Sequence, residues 1–147
     1  MEILSYKAAL LLTGVINLFM AAMLIKGSKP YRQYAIYCRT RLLTALWIGV
    51  FGLGYIMHCV FMWRYTWPTA ASALTVSYFH IGAICFSWGY TPLLNPRYLT
   101  RPIVVRDSLY FLFGLLVYWT VALLWKQEAT FTLLSYCLYF LYAAWIV

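Results

Sequence analysis

The sequence predicts an all-α polytopic membrane protein, a single bundle of five transmembrane helices, and three observations lead to this fold class. Of the 147 residues, 65% are apolar and 10% are charged, whereas soluble domains have about 45–50% and about 25%. Five apolar segments of about 18–22 residues are each long enough to cross a hydrocarbon core of about 30 Å. None of them contains Asp, Glu, Lys or Arg, and they cover residues 8–25, 42–63, 69–90, 108–125 and 129–147. A chain in lipid must satisfy its own backbone, as a helix does.

The distribution of charge predicts the orientation of this bundle. The formal net charge is +8. Eight basic residues lie between the first two segments or between the third and fourth: Lys26, Lys29, Arg32, Arg39, Arg41, Arg97, Arg101 and Arg106. On the other side there are three: Lys7, Arg64 and Lys126. Because cytoplasmic loops collect Lys and Arg, we expect the N-terminus outside and the C-terminus in the cytoplasm. The positive charge then reflects topology, and we expect the lipid bilayer, not nucleic acid, as the partner.

Composition also excludes several kinds of chemistry. With only three acids, Glu2, Asp107 and Glu128, a catalytic site of paired carboxylates is not expected, and we predict no enzyme activity for these residues alone. The four cysteines lack metal-ligand spacing, so we expect no metal site: Cys38, Cys59, Cys85 and Cys137. Glycines of the second segment lie inside a span, where they serve helix packing and not phosphate binding: Gly49, Gly52 and Gly54.

The first two helices each have a distinctive face. Small and weakly polar residues share one face of the first helix, which favours close helix packing in lipid: Thr13, Gly14, Asn17 and Ala21. Asn17 needs a hydrogen-bond partner near mid-membrane, either on another helix or on a ligand. We expect the second helix to run from about Pro30 to Trp63. Its first three turns, with Tyr31 and Arg32, would lie at the cytoplasmic surface, facing lipid headgroups or a cytoplasmic partner.

Short turns predict two helical hairpins. Residues 64–68 connect the second and third segments, and residues 126–128 connect the fourth and fifth, so neither outer loop has room for a binding domain. The longest loop, residues 91–107, contains Pro92, Pro96 and Pro102. We do not expect a continuous helix across it, and we expect it to be cytoplasmic and either a connection or a contact for an effector.

Two histidines inside this first hairpin are the main candidate site, because ionisable residues within a membrane are often functional. The face of His58 on the second helix includes Trp47 and Tyr55, and the face of His80 on the third helix includes Ser87. If these faces meet, they line one ligand pocket, to which Asn17 is added. Three interpretations stay open: structural imidazoles, recognition of a small hydrophobic or amphipathic ligand, and ligation of haem by both histidines.

The whole chain resembles the multi-span N-terminal membrane input modules of bacterial sensor proteins of the histidine-kinase type. The features in common are minimal outer loops, the basic entry Arg39-Thr40-Arg41 to the second helix, and a last helix that ends at the cytoplasmic side. This resemblance implies a sensory module in a bacterial inner membrane, which responds to a ligand or to the bilayer and acts on a cytoplasmic effector domain. We also expect a homodimer, and a chain truncated before its effector. Two alternatives are a membrane redox protein with haem or quinone at His58 and His80, and a small transporter or lipid-handling subunit.

Overall fold

A computed structural model describes residues 2–124 and 128–146, and within these residues the protein is helical with no strand. The elements are α1 Glu2–Lys26, a 3-10 turn Lys29–Tyr31, α2 Ala35–Phe61, α3 Trp63–Thr66, α4 Pro68–Leu94, α5 Arg101–Leu124 and α6 Glu128–Ile146. Four stretches of the described chain are long and apolar enough to cross a membrane: Ile3–Tyr31, Ala35–Phe61, Pro68–Leu94 and Arg101–Leu124. These helices fit an integral membrane protein.

Successive long helices are antiparallel, as short connections predict. The α2 and α4 helices meet near the end of α2 through His58 and Thr75, and near its start through Thr40, whose hydroxyl donates to the Gly89 carbonyl over 2.6 Å. The α4 and α5 helices meet at both ends in the same opposed sense, where Thr69 donates to the Ala122 carbonyl and Trp88 donates to Asp107. The Tyr110 hydroxyl of α5 donates to the Leu138 carbonyl of α6 over 2.7 Å. The result is an up-and-down bundle.

Glycines bring α1 and α2 into close contact, which confirms the predicted role of the small-residue face. A Cβ added at Gly14 would lie 2.7 Å from the Ile56 Cγ1 atom and 3.0 Å from the Gly52 carbonyl oxygen. Asn17 behaves differently from the expectation of a partner on another helix or on a ligand. Its side-chain amide donates to the Thr13 carbonyl at 2.9 Å, one turn back in the same helix, a local bond that needs no second element.

The second helix begins later than predicted, at Ala35 instead of near Pro30. Pro30 lies in the 3-10 turn Lys29–Tyr31, and Tyr34 leaves helical geometry with φ −102° and ψ 81°. The guanidinium of Arg41 packs over the rings of Tyr31 and Tyr37, 5.4 and 5.8 Å from their centroids. This cation–π cluster folds the basic segment back onto α2.

The proline-rich loop is shorter than predicted. The α4 helix continues through the buried Pro92 to Leu94, and α5 starts at Arg101, so only residues 95–100 connect them. Pro102 lies in the first turn of α5, where a backbone N–H has no intrahelical partner and proline is tolerated. The predicted interruption of the helix is therefore confirmed at residues 95–100, but the predicted loop bounds of 91–107 were too wide at both ends.

The interior of the bundle lies where α4, α5 and α6 meet. Its buried core cluster is Ala73, Tyr118, Ala122, Phe131 and Leu138. Large apolar side chains cover the outside, and Phe19, Leu116 and Leu124 are 66%, 66% and 76% exposed. Contiguous apolar surface of this extent is unfavourable in water, whereas in a bilayer it faces lipid.

Candidate ligand-binding cavity

A cavity of about 960 Å³ opens at the end of the bundle where α1, α4 and α6 begin and α2 ends. Its volume lies at the upper end of the about 300–1,000 Å³ typical of small-molecule sites. The wall combines aliphatic and aromatic side chains with hydroxyls, one imidazole and one guanidinium. Its lining residues on α1, α2 and α3 are Tyr6, Leu10, Tyr55, His58 and Arg64.

The lining from α4 and α6 completes this wall. On α4 the lining residues are Pro68, Ala71, Ser72, Thr75, Val76, Tyr78 and Phe79. On α6 they are Phe131, Thr132, Ser135 and Tyr136. Four long helices therefore contribute, and a molecule in the cavity would touch α6 as well as the hairpin of α2 and α4.

The imidazole of His58 is fixed in the cavity wall by Thr75. The His58 Nε2 atom lies 3.1 Å from the Thr75 Oγ1 atom. The Thr75 hydroxyl donates its single proton to the Ala71 carbonyl over 2.9 Å, and the Tyr78 hydroxyl donates to Thr75 over 3.4 Å. Thr75 therefore acts toward the imidazole as an acceptor, which assigns the proton to Nε2 and leaves Nδ1 as the ring's acceptor. The ring of Tyr78 packs edge-on against His58 with centroids 6.2 Å apart.

The second histidine lies in a different interface. His80 is 2% exposed and does not line the cavity. Its ring packs against Tyr110, Phe111 and Tyr118 of α5, with centroids 5.7–6.1 Å away. At about 100° per residue, Thr75 and His80 are about 140° apart around α4. Thr75 therefore faces α2, whereas His80 faces α5. The predicted pocket shared by both histidines is therefore not formed.

The remaining predicted site residues are dispersed. Tyr55 lines the cavity together with His58. Trp47 packs against Gly82, where an added Cβ would overlap its indole. Ser87 lies 3.5 Å from the Tyr98 hydroxyl near the opposite end of α4, and Asn17 bonds within α1. Two of the six predicted residues are thus part of one site.

Sequence reasoning missed several cavity residues. Thr75 lies 17 residues from His58 along the chain, and only the hairpin register brings them together. Ser72 and Val76 precede His80 by about two turns and one turn of the helix, and they line the cavity although His80 does not. Arg64 was treated as a charge of the outer turn. No pattern in the sequence indicated that residues of α6, such as Ser135, complete the wall.

A second polar cluster at the other end of the bundle was also missed. Asp107 was assigned to the 91–107 loop, but it lies in α5 and is 2% exposed. The Trp88 indole donates to its Oδ2 atom over 2.9 Å, and the Arg106 guanidinium donates to its Oδ1 atom over 2.8 and 2.9 Å. The candidate span Arg101–Leu124 therefore begins seven residues before the predicted segment 108–125 and includes Arg101, Arg106 and Asp107.

Comparisons with protein families, curated proteins and solved structures give no match for this chain. Within the described residues, no group of three or more His, Cys, Asp or Glu side chains is arranged to hold a metal ion. The cavity offers hydroxyls, an imidazole and a guanidinium above an apolar wall. This set of groups can bind an amphipathic molecule, with hydrogen bonds at one end and apolar contact along the rest.

Proposed function

We propose that this chain is a membrane-embedded input module of a bacterial signalling protein, which binds a small amphipathic ligand in the cavity at His58. The single observation that supports this most is the cavity itself, about 960 Å³ between α1, α2, α4 and α6. The polar groups of its wall already form a hydrogen-bonded set around Thr75, so a ligand meets preorganised partners. The proposed location is a bacterial inner membrane.

The proposed topology has five spans, with α6 as the fifth, the N-terminus outside and the C-terminus in the cytoplasm. The α6 helix, Glu128–Ile146, has 19 residues and packs antiparallel to α5. A helix of this length rises about 28 Å, close to the thickness of a hydrocarbon core. In this orientation the cavity opens in the outer half of the membrane, and eight of eleven basic residues lie on the cytoplasmic side.

The proposed signal leaves through α6. Because α6 contributes to the cavity wall, a ligand that changes the position of α6 relative to α4 also moves the opposite end of α6, to which the proposed effector would respond. A ligand shifts such an equilibrium only if it binds one arrangement better than the other. The proposed output is a cytoplasmic effector domain, and the proposed assembly is a homodimer.

The geometry favours this proposal over the redox alternative. A haem with two histidine ligands needs both imidazoles at one site. Instead, His58 lies in the interface between α2 and α4, where it contacts Thr75, and His80 packs against α5. The transporter alternative has no specific observation in its favour.

The experiment is a photolabelling assay with a cavity-filling variant. Protein in phosphatidylcholine nanodiscs is exposed to a diazirine-bearing dodecanol, and labelled peptides are identified by mass spectrometry. We expect saturable labelling at residues 68–79 and 131–136, and loss of this labelling in Ser72→Phe, whose ring would occupy the cavity. The matched control is Leu116→Phe, which adds the same ring on the 66% exposed outer face of α5. Equal labelling of the two variants would reject the cavity as a binding site.

A further inference from the structure

Arg64 places a positive charge at one end of the cavity, and the proposed function does not yet assign a role to this charge. Among the described residues that line the cavity, Arg64 is the only one with a permanent charge, and no acid is among them. It lies in α3, the outer turn between α2 and α4, which follows the left-handed residue Met62 at φ 51°. The wall therefore presents one cation at its outer end and neutral groups elsewhere.

Several of the polar groups lie near that outer end. His58 precedes Arg64 by six residues, and Ser72 and Thr75 lie in the first two turns of α4. Farther along α4 the lining is formed by Val76, Tyr78 and Phe79, and the Tyr78 hydroxyl donates back to Thr75, which leaves mainly aliphatic and aromatic surface there. From Pro68 to Phe79 the helix rises about 16 Å, which is long enough for an extended acyl chain and much longer than a compact solute needs.

We propose that the ligand is a single-chain amphiphile with an anionic headgroup, held with the headgroup at Arg64 and the chain directed along α4 toward Phe79. This inference rests on the proposed function, because it uses the same cavity. The guanidinium supplies charge and N–H donors to a carboxylate or phosphate, and the Ser72 hydroxyl, which also lines the cavity, can donate a further hydrogen bond. A cationic headgroup would meet like charge, and a free anion without a chain would leave the apolar wall unused.

The test compares two probes that differ only in the headgroup. Diazirine-bearing dodecanoate and the matching dodecanol are titrated against the protein in phosphatidylcholine nanodiscs, with empty nanodiscs giving the partitioning of each probe into lipid. We expect the wild-type protein to be half-labelled at an about fivefold lower bilayer concentration of dodecanoate than of dodecanol. The preference is modest because Arg64 is exposed, so that solvent partly screens its ion pair with the headgroup. Acetate is expected not to compete with dodecanoate.

Three variants assign this preference to Arg64. Arg64→Gln is expected to bind both probes equally, whereas Arg64→Lys keeps the preference. Lys7→Gln, which removes another basic residue of the same membrane side that does not line the cavity, is expected to keep it as well. Equal binding of both probes by the wild-type protein, or a preference that persists in Arg64→Gln, overturns the anionic headgroup while the cavity itself stands. If neither probe labels the cavity, the proposed function fails and this inference fails with it.

Discussion

The Asp107 carboxylate accepts three hydrogen bonds, two from Arg106 and one from Trp88, and only the bond from Trp88 connects two helices. Arg106 is its neighbour in the chain and is 36% exposed, so this pair alone does not connect two elements. Trp88 lies on α4, so its indole N–H joins α4 to α5 at the proposed cytoplasmic end. Removing the donor of a buried acceptor lowers the stability of the folded protein by about 1–3 kcal/mol.

Trp88→Phe is therefore expected to lower the free energy of unfolding by about 1–3 kcal/mol more than Trp67→Phe. The Trp67 Nε1 atom is buried without a hydrogen-bond partner among the described residues, so its replacement removes ring volume but no bond. Unfolding in mixed micelles with increasing sodium dodecyl sulfate measures both variants. Equal losses would mean that the bond to Asp107 contributes nothing.

The two histidines are expected to respond differently to substitution. His58→Gln changes the cavity wall, so we expect dodecanol labelling to weaken by about two- to tenfold, the value of one hydrogen bond of about 0.5–1.5 kcal/mol. His80→Gln, in the packed interface with α5, is expected to lower stability but to leave labelling of the folded protein unchanged. Labelling and unfolding are measured on the same preparations. Loss of labelling in His80→Gln with intact folding would contradict the cavity described above.

How much of this site the sequence determines differs between residues. The importance of His58 follows from its position inside an apolar span, and Tyr55 follows from helical spacing. Pairing His58 with His80 failed because a helix at about 100° per residue has several sides, and the sequence does not say which neighbour each side meets. Thr75 looks like any threonine in a span until the register of the hairpin is known.

At the scale of helices, the close contact of α1 with α2 depends on Gly14 and Gly52, whereas Gly49 is not in close contact with α1. A Cβ added at Gly52 would lie 2.9 Å from both the Gly14 carbonyl oxygen and the Leu18 Cγ atom, whereas at Gly49 the nearest atom is the Ala21 Cβ atom at 3.6 Å. A side chain at Gly52 would therefore push the two helices apart, whereas a methyl group at Gly49 would make ordinary van der Waals contact.

Gly52→Ala is accordingly expected to destabilise the protein by about 1–3 kcal/mol. Gly49→Ala is expected to be neutral or stabilising, since alanine favours the helix by about 1 kcal/mol over glycine. The same detergent unfolding experiment compares them. A Gly52→Ala variant as stable as Gly49→Ala would show that the two helices separate easily at this point.

Helix ends were the least predictable feature of these elements. Three prolines between residues 91 and 107 suggested a long loop, but Pro92 is buried in α4 and Pro102 lies in the first turn of α5. A proline in a helix interior removes one backbone hydrogen bond, and its ring crowds the preceding turn, yet α4 continues for two residues beyond Pro92. Pro92 is also buried, and burial at this point depends on the tertiary structure.

At the scale of the whole molecule, the apolar outward surface fits a bilayer, and the charge asymmetry supports the proposed orientation. Exposed apolar side chains such as Leu116 and Leu124 cover its sides. Basic residues are concentrated at the end where α1 and α4 terminate. The proposed topology places Thr66 outside and Asn95 in the cytoplasm, and both are exposed.

This topology gives a direct expectation for cysteine labelling in intact cells. In a background with the four native cysteines replaced by alanine, Thr66→Cys is expected to react with a membrane-impermeant maleimide added outside. Asn95→Cys is expected to react only after the cells are opened. The reverse pattern would invert the bundle and place the cavity in the cytoplasmic half of the membrane.

The sequence by itself determined that the chain is helical and apolar enough for a membrane, because composition and segment length act locally, before any helix meets another. It also indicated the antiparallel hairpins, since short connections leave no other arrangement. Tertiary structure alone decided that His58 and His80 face different helices, that α6 closes the cavity, and that Asp107 is buried against Trp88. These outcomes depend on how each helix is rotated about its axis. Almost every side of these helices is apolar, so the sequence pattern gives little information about that rotation, and packing of individual side chains determines it.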